Sequence, residues 1–487
     1  MPARADEKGD MQPSIKERLA ITRVAMPELA ADIRRRNFSE VNRGLNETQA
    51  LTEARRCLKC KNRPCVAGCP VGVSIPEFLD ALAAEDLPRS AQILRHDNAL
   101  PAICGRVCPQ ETQCEALCVR GIKGKPVAIG SLERYVADWA MHNPEQLPGD
   151  PLSAATGKQV VIIGSGPSGL TAAGELARLG HAVTIFEALH DTGGVLRYGI
   201  PEFRLPKDII DHAVALLTAL GVTIECNVII GKTITLAELH SEFDAVFIAN
   251  GAGLPVMLNI PGENLKGVYA ANEFLTRVNL MEAGRHDNSA TPIIKRREVA
   301  VIGGGNTAID CVRTALRLGA ERAMIVYRRG AAEMPARAEE IRHAGEEGVE
   351  FIMLTAPTAI LGSSDGWVSA LRCQKMELGA PDDSGRCRPV AIEGSDFDLQ
   401  AGVIINAVGT GANPLLTTSA PELSLNKRGN IKINPDGETS MPGVFAGGDI
   451  VRGGATVILA MGDGKRAAVA IDEYLKLAGQ SEGFANE

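Results

Sequence analysis

Two copies of one pattern, strand, glycine-rich turn, helix, strand, constrain this 487-residue chain more than any other feature. The first is VVIIGSGPSGLTAAGELARLGHAVTIFEA, residues 160–188. An apolar run of strand length enters a turn with Gly164, Gly166 and Gly169, Pro167 and Ser168 begin a helical stretch, and a second apolar run ends at Glu187. Each glycine has a mechanical reason. The first makes the turn, the second lets backbone approach a pyrophosphate, and the third packs helix on strand. The pyrophosphate rests on the helix N-terminus, and the acid about 20 residues on bonds a ribose hydroxyl.

The second copy is VAVIGGGNTAIDCVRTALRLGAERAMIVYRR, residues 299–329. Gly303 and Gly305 make its turn, Asn306 and Thr307 open its helix, and Ala308 replaces the third glycine, as the fingerprint permits. Where the first copy ends in Glu187, this one ends in Arg328 and Arg329. Guanidinium groups suit a 2′-phosphate, so this site is expected to prefer NADPH to NADH.

Two dinucleotide sites on one chain need different tenants. The first is assigned to FAD because VFAGGDI, residues 444–450, supplies another strand ending in Gly447, Gly448 and Asp449, an acid able to accept from the ribityl hydroxyls. Residues 455–471 then read as a helix, with Thr456 at its start, whose N-terminal amides face the flavin and favour its reduced anion. DAVFIANGAG (244–253), containing Gly251, and AGVIINAVGTGANP (401–414), containing Gly409, are apolar strands that close the first and second nucleotide domains. The expected fold is therefore α/β: a helical N-terminal iron-sulfur domain followed by two Rossmann-like, three-layer domains, the NADPH domain inserted in the FAD domain. The expected boundaries are 1–150 for the cluster domain, 151–292 and 404–487 for the FAD domain, and 293–403 for the NADPH domain.

Of twelve cysteines, eight fall between Cys57 and Cys118, and Cys226, Cys311, Cys373 and Cys387 are scattered over the rest. A disulfide framework suits a small secreted chain, and this one is large. The spacing is C-x2-C-x4-C-x3-C-P, then C-x3-C-P-x4-C-x3-C, which differs from the paired CxxC of structural zinc and follows the bacterial ferredoxin pattern. In that pattern the last cysteine of a run ligates the other cluster. Cys57, Cys60 and Cys65 are then completed by Cys118, while Cys69 joins Cys104, Cys108 and Cys114.

Together with these motifs, GGVLRYGIPEFRLP (193–206) and EMPAR (333–337) make the chain resemble the small, or beta, subunit of NADPH-dependent glutamate synthase over nearly all of residues 37–475. Residues 251–281 also resemble the large subunit of the NADH-dependent ferredoxin:NADP oxidoreductase, a bifurcating transhydrogenase. The wider family includes the N-terminal part of dihydropyrimidine dehydrogenase. That resemblance implies flavin contacts from Gly194, Leu196 and Arg204. It also implies a second cluster of three cysteines completed by an acid or amide in an IGSLE-type segment, here Glu133. Carried over, one cluster takes Cys57, Cys60, Cys65 and Cys118, and the other takes Cys69, Cys108, Cys114 and Glu133. The competing assignment puts Cys104 in place of Glu133, thiolate being the usual ligand.

NADPH gives a two-electron hydride, clusters accept single electrons, and a flavin does both, so FAD is expected to stand between them. Hydride transfer itself needs no acid or base, and no catalytic residue is assigned. The expected partners are NADP(H) and a redox subunit: a glutamate synthase large subunit, or a ferredoxin-linked flavoprotein or iron-sulfur subunit. A net charge of -8 argues against nucleic acid, which needs a basic surface. An N-terminus without an apolar core, and the absence of a run of about 18 apolar residues, point to a cytoplasmic protein without a membrane span. Residues 1–36 read as helical with mixed charge.

Overall fold

A computed structural model describes residues 13–149, 152–284, 289–382 and 385–485. The chain divides into two compact units, one of Met1–Pro27 with Gly44–Gly149 and one of Glu28–Arg43 with Asp150–Glu487. The residues of 28–43 thus belong with the nucleotide-binding unit, although they lie within the expected cluster domain.

The first unit is helical. Its core is made by the helices Ile75–Ala83, Leu87–Asp97, Pro101–Val107 and Ile129–His142, whose apolar faces bury Phe78, Leu79, Leu82, Leu94, Ile103 and Leu132. Two of these helices touch through glycine. A Cβ on Gly105 would lie 2.6 Å from the Arg134 backbone nitrogen, and one on Gly130 would lie 2.2 Å from the Gln110 amide. The polar N-terminal segment, expected to be helical, forms two short helices among its described residues, Ile15–Ala20 and Ala31–Arg34. Pro27 lies between them, and proline lacks an N–H and disfavours helix in the residue before it. Residues 1–12 of that segment lie outside the described residues.

Among the described residues, the second unit holds sixteen strands. They are β1 (Gln159–Ile163), β2 (Ala182–Phe186), β3 (Thr223–Glu225), β4 (Ala245–Ile248), β5 (Leu254–Pro255), β6 (Val268–Ala270), β7 (Glu298–Ile302) and β8 (Arg322–Val326). There follow β9 (Glu350–Ile352), β10 (Thr355–Gly362), β11 (Val368–Pro381), β12 (Cys387–Ala391), β13 (Phe397–Gln400), β14 (Val403–Asn406), β15 (Thr410–Gly411) and β16 (Val444–Ala446). One five-stranded parallel sheet runs β16-β4-β1-β2-β3, and a second runs β6-β14-β7-β8-β9. The first is completed by a strand from the C-terminal end of the chain, so the second lobe interrupts the first. Central strands such as β1, β4, β7 and β14 are buried along their inner residues, as parallel sheets covered on both faces require.

The chain crosses between lobes twice, and the crossings pair: Thr410 with Pro255 and Gly411 with Leu254, antiparallel. The second sheet starts earlier than residue 293, because β6 pairs with β14 and the helix Ala271–Asn279 follows it. Its short apolar strand carries no glycine fingerprint, which hid it in the sequence. Strands β10–β13 form an antiparallel side sheet that sequence periodicity did not single out. Residues 455–471, expected to be helical, lie almost wholly within the helix Val457–Ala485. Among the described residues, no helix is long and apolar enough to cross a membrane.

Candidate functional site

In the helical unit, Cys57, Cys60, Cys65 and Cys118 line one pocket with Pro64, Ile75, Pro76, Leu79 and Ile129. The loop that closes it is fixed from below. The buried Arg56 pairs with Glu53 and donates to the carbonyls of Pro126 (2.9 Å) and Lys125 (2.8 Å), while Glu53 accepts from the Ala128 N–H (2.8 Å). Arg18 donates to the Cys57 carbonyl at 2.5 Å. Burial pushes the Cys65 thiol up to about 12, and Cys57 and Cys118 push it further in the same direction. Cys57 and Cys60 are raised by burial first and then by the neighbouring sulfurs. Four thiols converging in an apolar pocket repel one another as thiolates, and a cationic centre removes that repulsion. This donor set fits an iron-sulfur cluster.

A second group gathers around Glu133 of the helix Ile129–His142 and Cys104 of the helix Pro101–Val107. Cys108 is raised first by its hydrogen bond with Cys104, then by burial, and then by Cys104, Glu133 and Cys114. Cys69 is pushed up to about 11 by burial, with Glu133 and Cys104 adding to it. Cys114 is raised by burial, then by Glu115, Glu133 and Cys69. Glu133 is 8% exposed, accepts from the Asn98 amide at 2.7 Å, and is pushed up to about 8 by burial. Cys104 lies 3.8 Å from the Asn98 Oδ1. The fold therefore brings Cys69, Cys104, Cys108, Cys114 and Glu133 together, the union of the two assignments open in the sequence.

The first nucleotide cradle follows its fingerprint closely. Gly164 has φ +106°, and a Cβ there would lie 2.7 Å from the Ala249 carbonyl oxygen. A Cβ on Gly169 would lie 2.0 Å from the Gly164 oxygen, whereas Gly166 faces open space. Pro167 starts the helix Pro167–Arg178, and the Ser168 Oγ and Asn250 Oδ1 are buried without a hydrogen-bond partner among the described residues. A glycine facing open space beside orphaned polar atoms fits a bound dinucleotide. Glu187 accepts from the Ser165 N–H (2.9 Å), the Ser165 Oγ (2.5 Å) and the Leu189 N–H (2.9 Å). Ser165 also accepts from the Gly193 N–H at 3.0 Å. Its hydroxyl ties the acid to the next loop, a role its place between two glycines concealed.

That loop lies on the cradle: a Cβ on Gly194 would be 3.0 Å from the Gly166 Cα, and Leu196 is buried behind it. Arg197 is held by Asp191, Asp211 and the Thr192 carbonyl. Burial pushes Tyr198 up to about 12, with Asp449 and Glu187 as its charged neighbours, so both acids face one region. Burial also pushes Asp449 up to about 6, and its carboxylate accepts from the Ala455 N–H at 3.2 Å. Gly448 has φ +79° and donates to Asp463 (3.0 Å), while Thr456 precedes the helix Val457–Ala485 and accepts from the Leu459 N–H (3.4 Å). Gly464 of that helix packs on the first fingerprint, where a Cβ would lie 2.2 Å from the Ser168 oxygen. Gly251 (φ +69°) and Gly409 (φ +126°) both face open space.

Two expected cofactor contacts have other partners. Arg204 pairs with Asp310 at 2.8 Å and Glu340 at 3.1 Å, both in the second lobe. Arg329 is buried and donates to the Cys387 carbonyl (2.8 Å) and Asp382 (2.5 Å). Their guanidinium groups are committed to protein acceptors contributed by segments distant in sequence. Arg328 alone of its pair is exposed at the strand end. In the second cradle Gly303 has φ +143° with a would-be Cβ 2.4 Å from the Ala407 oxygen, and Gly305 faces open space. Asn306 accepts from the Arg337 N–H at 2.9 Å, tying the EMPAR segment to the cradle, and Thr307 is exposed.

Residues 34–145 match the family model of dihydropyrimidine dehydrogenase domain II, 4Fe-4S cluster, and residues 158–471 match pyridine nucleotide-disulphide oxidoreductase. The chain is 35% identical to the glutamate synthase (NADPH) small chain of Escherichia coli strain K12, over 96% of this chain and 100% of that one. It is 38% identical to the same-named chain of Azospirillum brasilense, over 91% and 92%. With the NADP(+)-dependent formate dehydrogenase subunit beta of Moorella thermoacetica it shares 41% identity over 85% of its length, spanning 60% of that protein. Among solved structures, Mycobacterium tuberculosis FprA in complex with NADPH shares the fold at TM-score 0.57 and 23% identity, covering 67% of this chain and 86% of that one. The chain belongs to the glutamate synthase small-subunit family, NADPH-dependent oxidoreductases that join a 4Fe-4S domain to an FAD- and NADP-binding module.

Proposed function

We propose that this chain takes electrons from NADPH and delivers them to a partner redox subunit, the large subunit of a glutamate synthase. The observation that carries this reading is the pairing, on one polypeptide, of two distinct glycine cradles with two converging groups of cysteines, the second joined by Glu133. Bound flavin exchanges a hydride for single electrons, the conversion that links a nicotinamide to iron-sulfur clusters.

The residues have separable tasks. Gly164, Gly166 and Gly169 seat the FAD pyrophosphate, Glu187 takes the ribose, and Asp449 takes the ribityl chain. Gly303, Gly305, Asn306 and Thr307 seat the pyrophosphate of NADPH. We assign one cluster to Cys57, Cys60, Cys65 and Cys118, and the other to Cys69, Cys108, Cys114 and Glu133. Reduced thiols suit a cytoplasmic location, where we place the protein.

Anaerobic titration of the holoprotein with NADPH tests the reading. Bleaching of the flavin absorbance followed by a reduced-cluster EPR signal supports it, and an unchanged spectrum sinks it. Co-purification with a large amidotransferase subunit supports the named partner, whereas a ferredoxin-linked flavoprotein in its place assigns the chain to an electron-bifurcating complex. For nucleotide choice, Arg328→Ala is expected to raise the KM for NADPH about ten- to a hundredfold, the value of a charge-assisted contact, and to leave that for NADH unchanged. Equal effects on both nucleotides would show that Arg328 does not read the 2′-phosphate.

A further inference from the structure

The crossings at β5 and β15 leave the two nucleotide lobes joined by a pair of strands, the construction of a hinge. Away from that hinge, Phe203 and Arg204 of the first lobe are driven into the second. Phe203 is 1% exposed, with the guanidinium carbons of Arg313 and Arg317 at 4.7 and 3.9 Å from its ring centre. Arg204 binds Asp310 through both carboxylate oxygens, at 2.9 and 2.8 Å, and Glu340 at 3.1 Å. Residues 28–43 cover the same point: Phe38 packs on Phe203 at 6.3 Å between centroids, and the Val41 N–H donates to the Phe203 carbonyl at 3.0 Å.

The two ends of this contact are informative. Asp310 lies one turn into the helix Asn306–Arg317, whose start is the NADPH cradle. Arg204 follows the loop whose Gly194 lies on Gly166 of the FAD cradle. Opening the lobes would strip Asp310 and Glu340 of a buried cation, an expensive change in a water-poor interior.

We propose that the Phe203–Arg204 plug, seated on Asp310, Glu340, Arg313 and Arg317, is a latch that sets the distance between the two nucleotide cradles and so the geometry of hydride transfer. Its members are positioning residues that act through the helix and the loop they hold. With both cofactors bound, these residues would hold the nicotinamide C4 of NADPH against the flavin, which would take the hydride with its electron pair as the reduced anion and leave NADP+. The inference rests on the functional reading above.

The test compares the FAD-replete holoprotein with Asp310→Asn and Phe203→Leu by anaerobic stopped flow. A misplacement near 1 Å costs about a hundredfold in rate. The latch predicts that flavin reduction at saturating NADPH slows about ten- to a hundredfold, with the KM for NADPH and the FAD content little changed. It also predicts a weaker long-wavelength charge-transfer band and a larger isotope effect with 4-deuterated NADPH. Folded, FAD-replete variants with an unchanged saturating rate, or with the whole loss in KM, overturn it. If Asp310→Asn does not fold, Phe203→Leu, which keeps the charges paired, carries the same outcomes. If NADPH fails to reduce the flavin of the unaltered protein, the functional reading itself falls; if it reduces wild type and variants alike, only the latch does.

Discussion

Replacing Glu347 by alanine is expected to destabilise the nucleotide-binding unit by about 3–5 kcal/mol, the cost of leaving buried cations unpaired. Glu347 has no exposed surface and holds three guanidinium groups: Arg317 at 2.7 Å, Arg313 at 2.7 Å and Arg34 at 3.0 Å. Burial alone would push its carboxyl up, but the hydrogen bonds and charges of Arg317 and Arg313 outweigh that and hold it down at about 2, against an ordinary 4.5. Glu340 is held at about 2 in the same way, by Arg204, Arg313 and Arg337 against burial. Because the folded values lie below the unfolded one, this stabilisation is fully present above about pH 4.5 and is lost as the pH falls towards 2. Urea midpoints between pH 7 and pH 3 should therefore fall more steeply for the wild type than for Glu347→Gln. Parallel curves would show that the carboxylate contributes no acid-sensitive stability.

The second large effect concerns the clusters. Cys118→Ser is expected to remove one cluster and so about half of the bound iron, because thiolate is the required donor in the all-cysteine pocket. Glu133→Ala should remove or destabilise the other cluster, and Cys104→Ser should retain both. Iron per chain and the EPR spectrum of the reduced protein check all three variants. If Cys104→Ser loses iron and Glu133→Ala keeps it, the fourth ligand of the second cluster is the cysteine.

The parts of this molecule that the sequence revealed are those in which function is written locally. A glycine turn between strand and helix is legible because backbone geometry demands the residue where it stands: Gly169 would place a Cβ 2.0 Å from the Gly164 oxygen. The interruption of one lobe by the other was legible from the late strand at β16 for the same reason, its GGD turn. Cysteine spacing showed which residues gather but not which ligate, since Cys104 and Glu133 both reach the second group. What stayed hidden depends on partners far along the chain. Arg329 looks like a nucleotide ligand until Asp382 is placed beside it, and Arg204 until Asp310 and Glu340 are. Asp463, which holds the Gly448 turn at 3.0 Å, lies in a helix where nothing nearby marks it. Strand β6 was missed because three apolar residues acquire meaning only from pairing with β14.

The antiparallel pairing of β5 with β15 has a consequence for the history and the engineering of the chain. The interrupting lobe enters and leaves through one doorway, its two threshold strands as close as neighbours in any sheet, about 4.8 Å. A segment whose ends already touch can be lifted out and replaced without stretching its host. The second lobe is thus a cassette, and on the proposed assignment of NADPH to it, exchanging residues 254–411 between relatives should change nucleotide preference while the rest of the chain keeps its own frame.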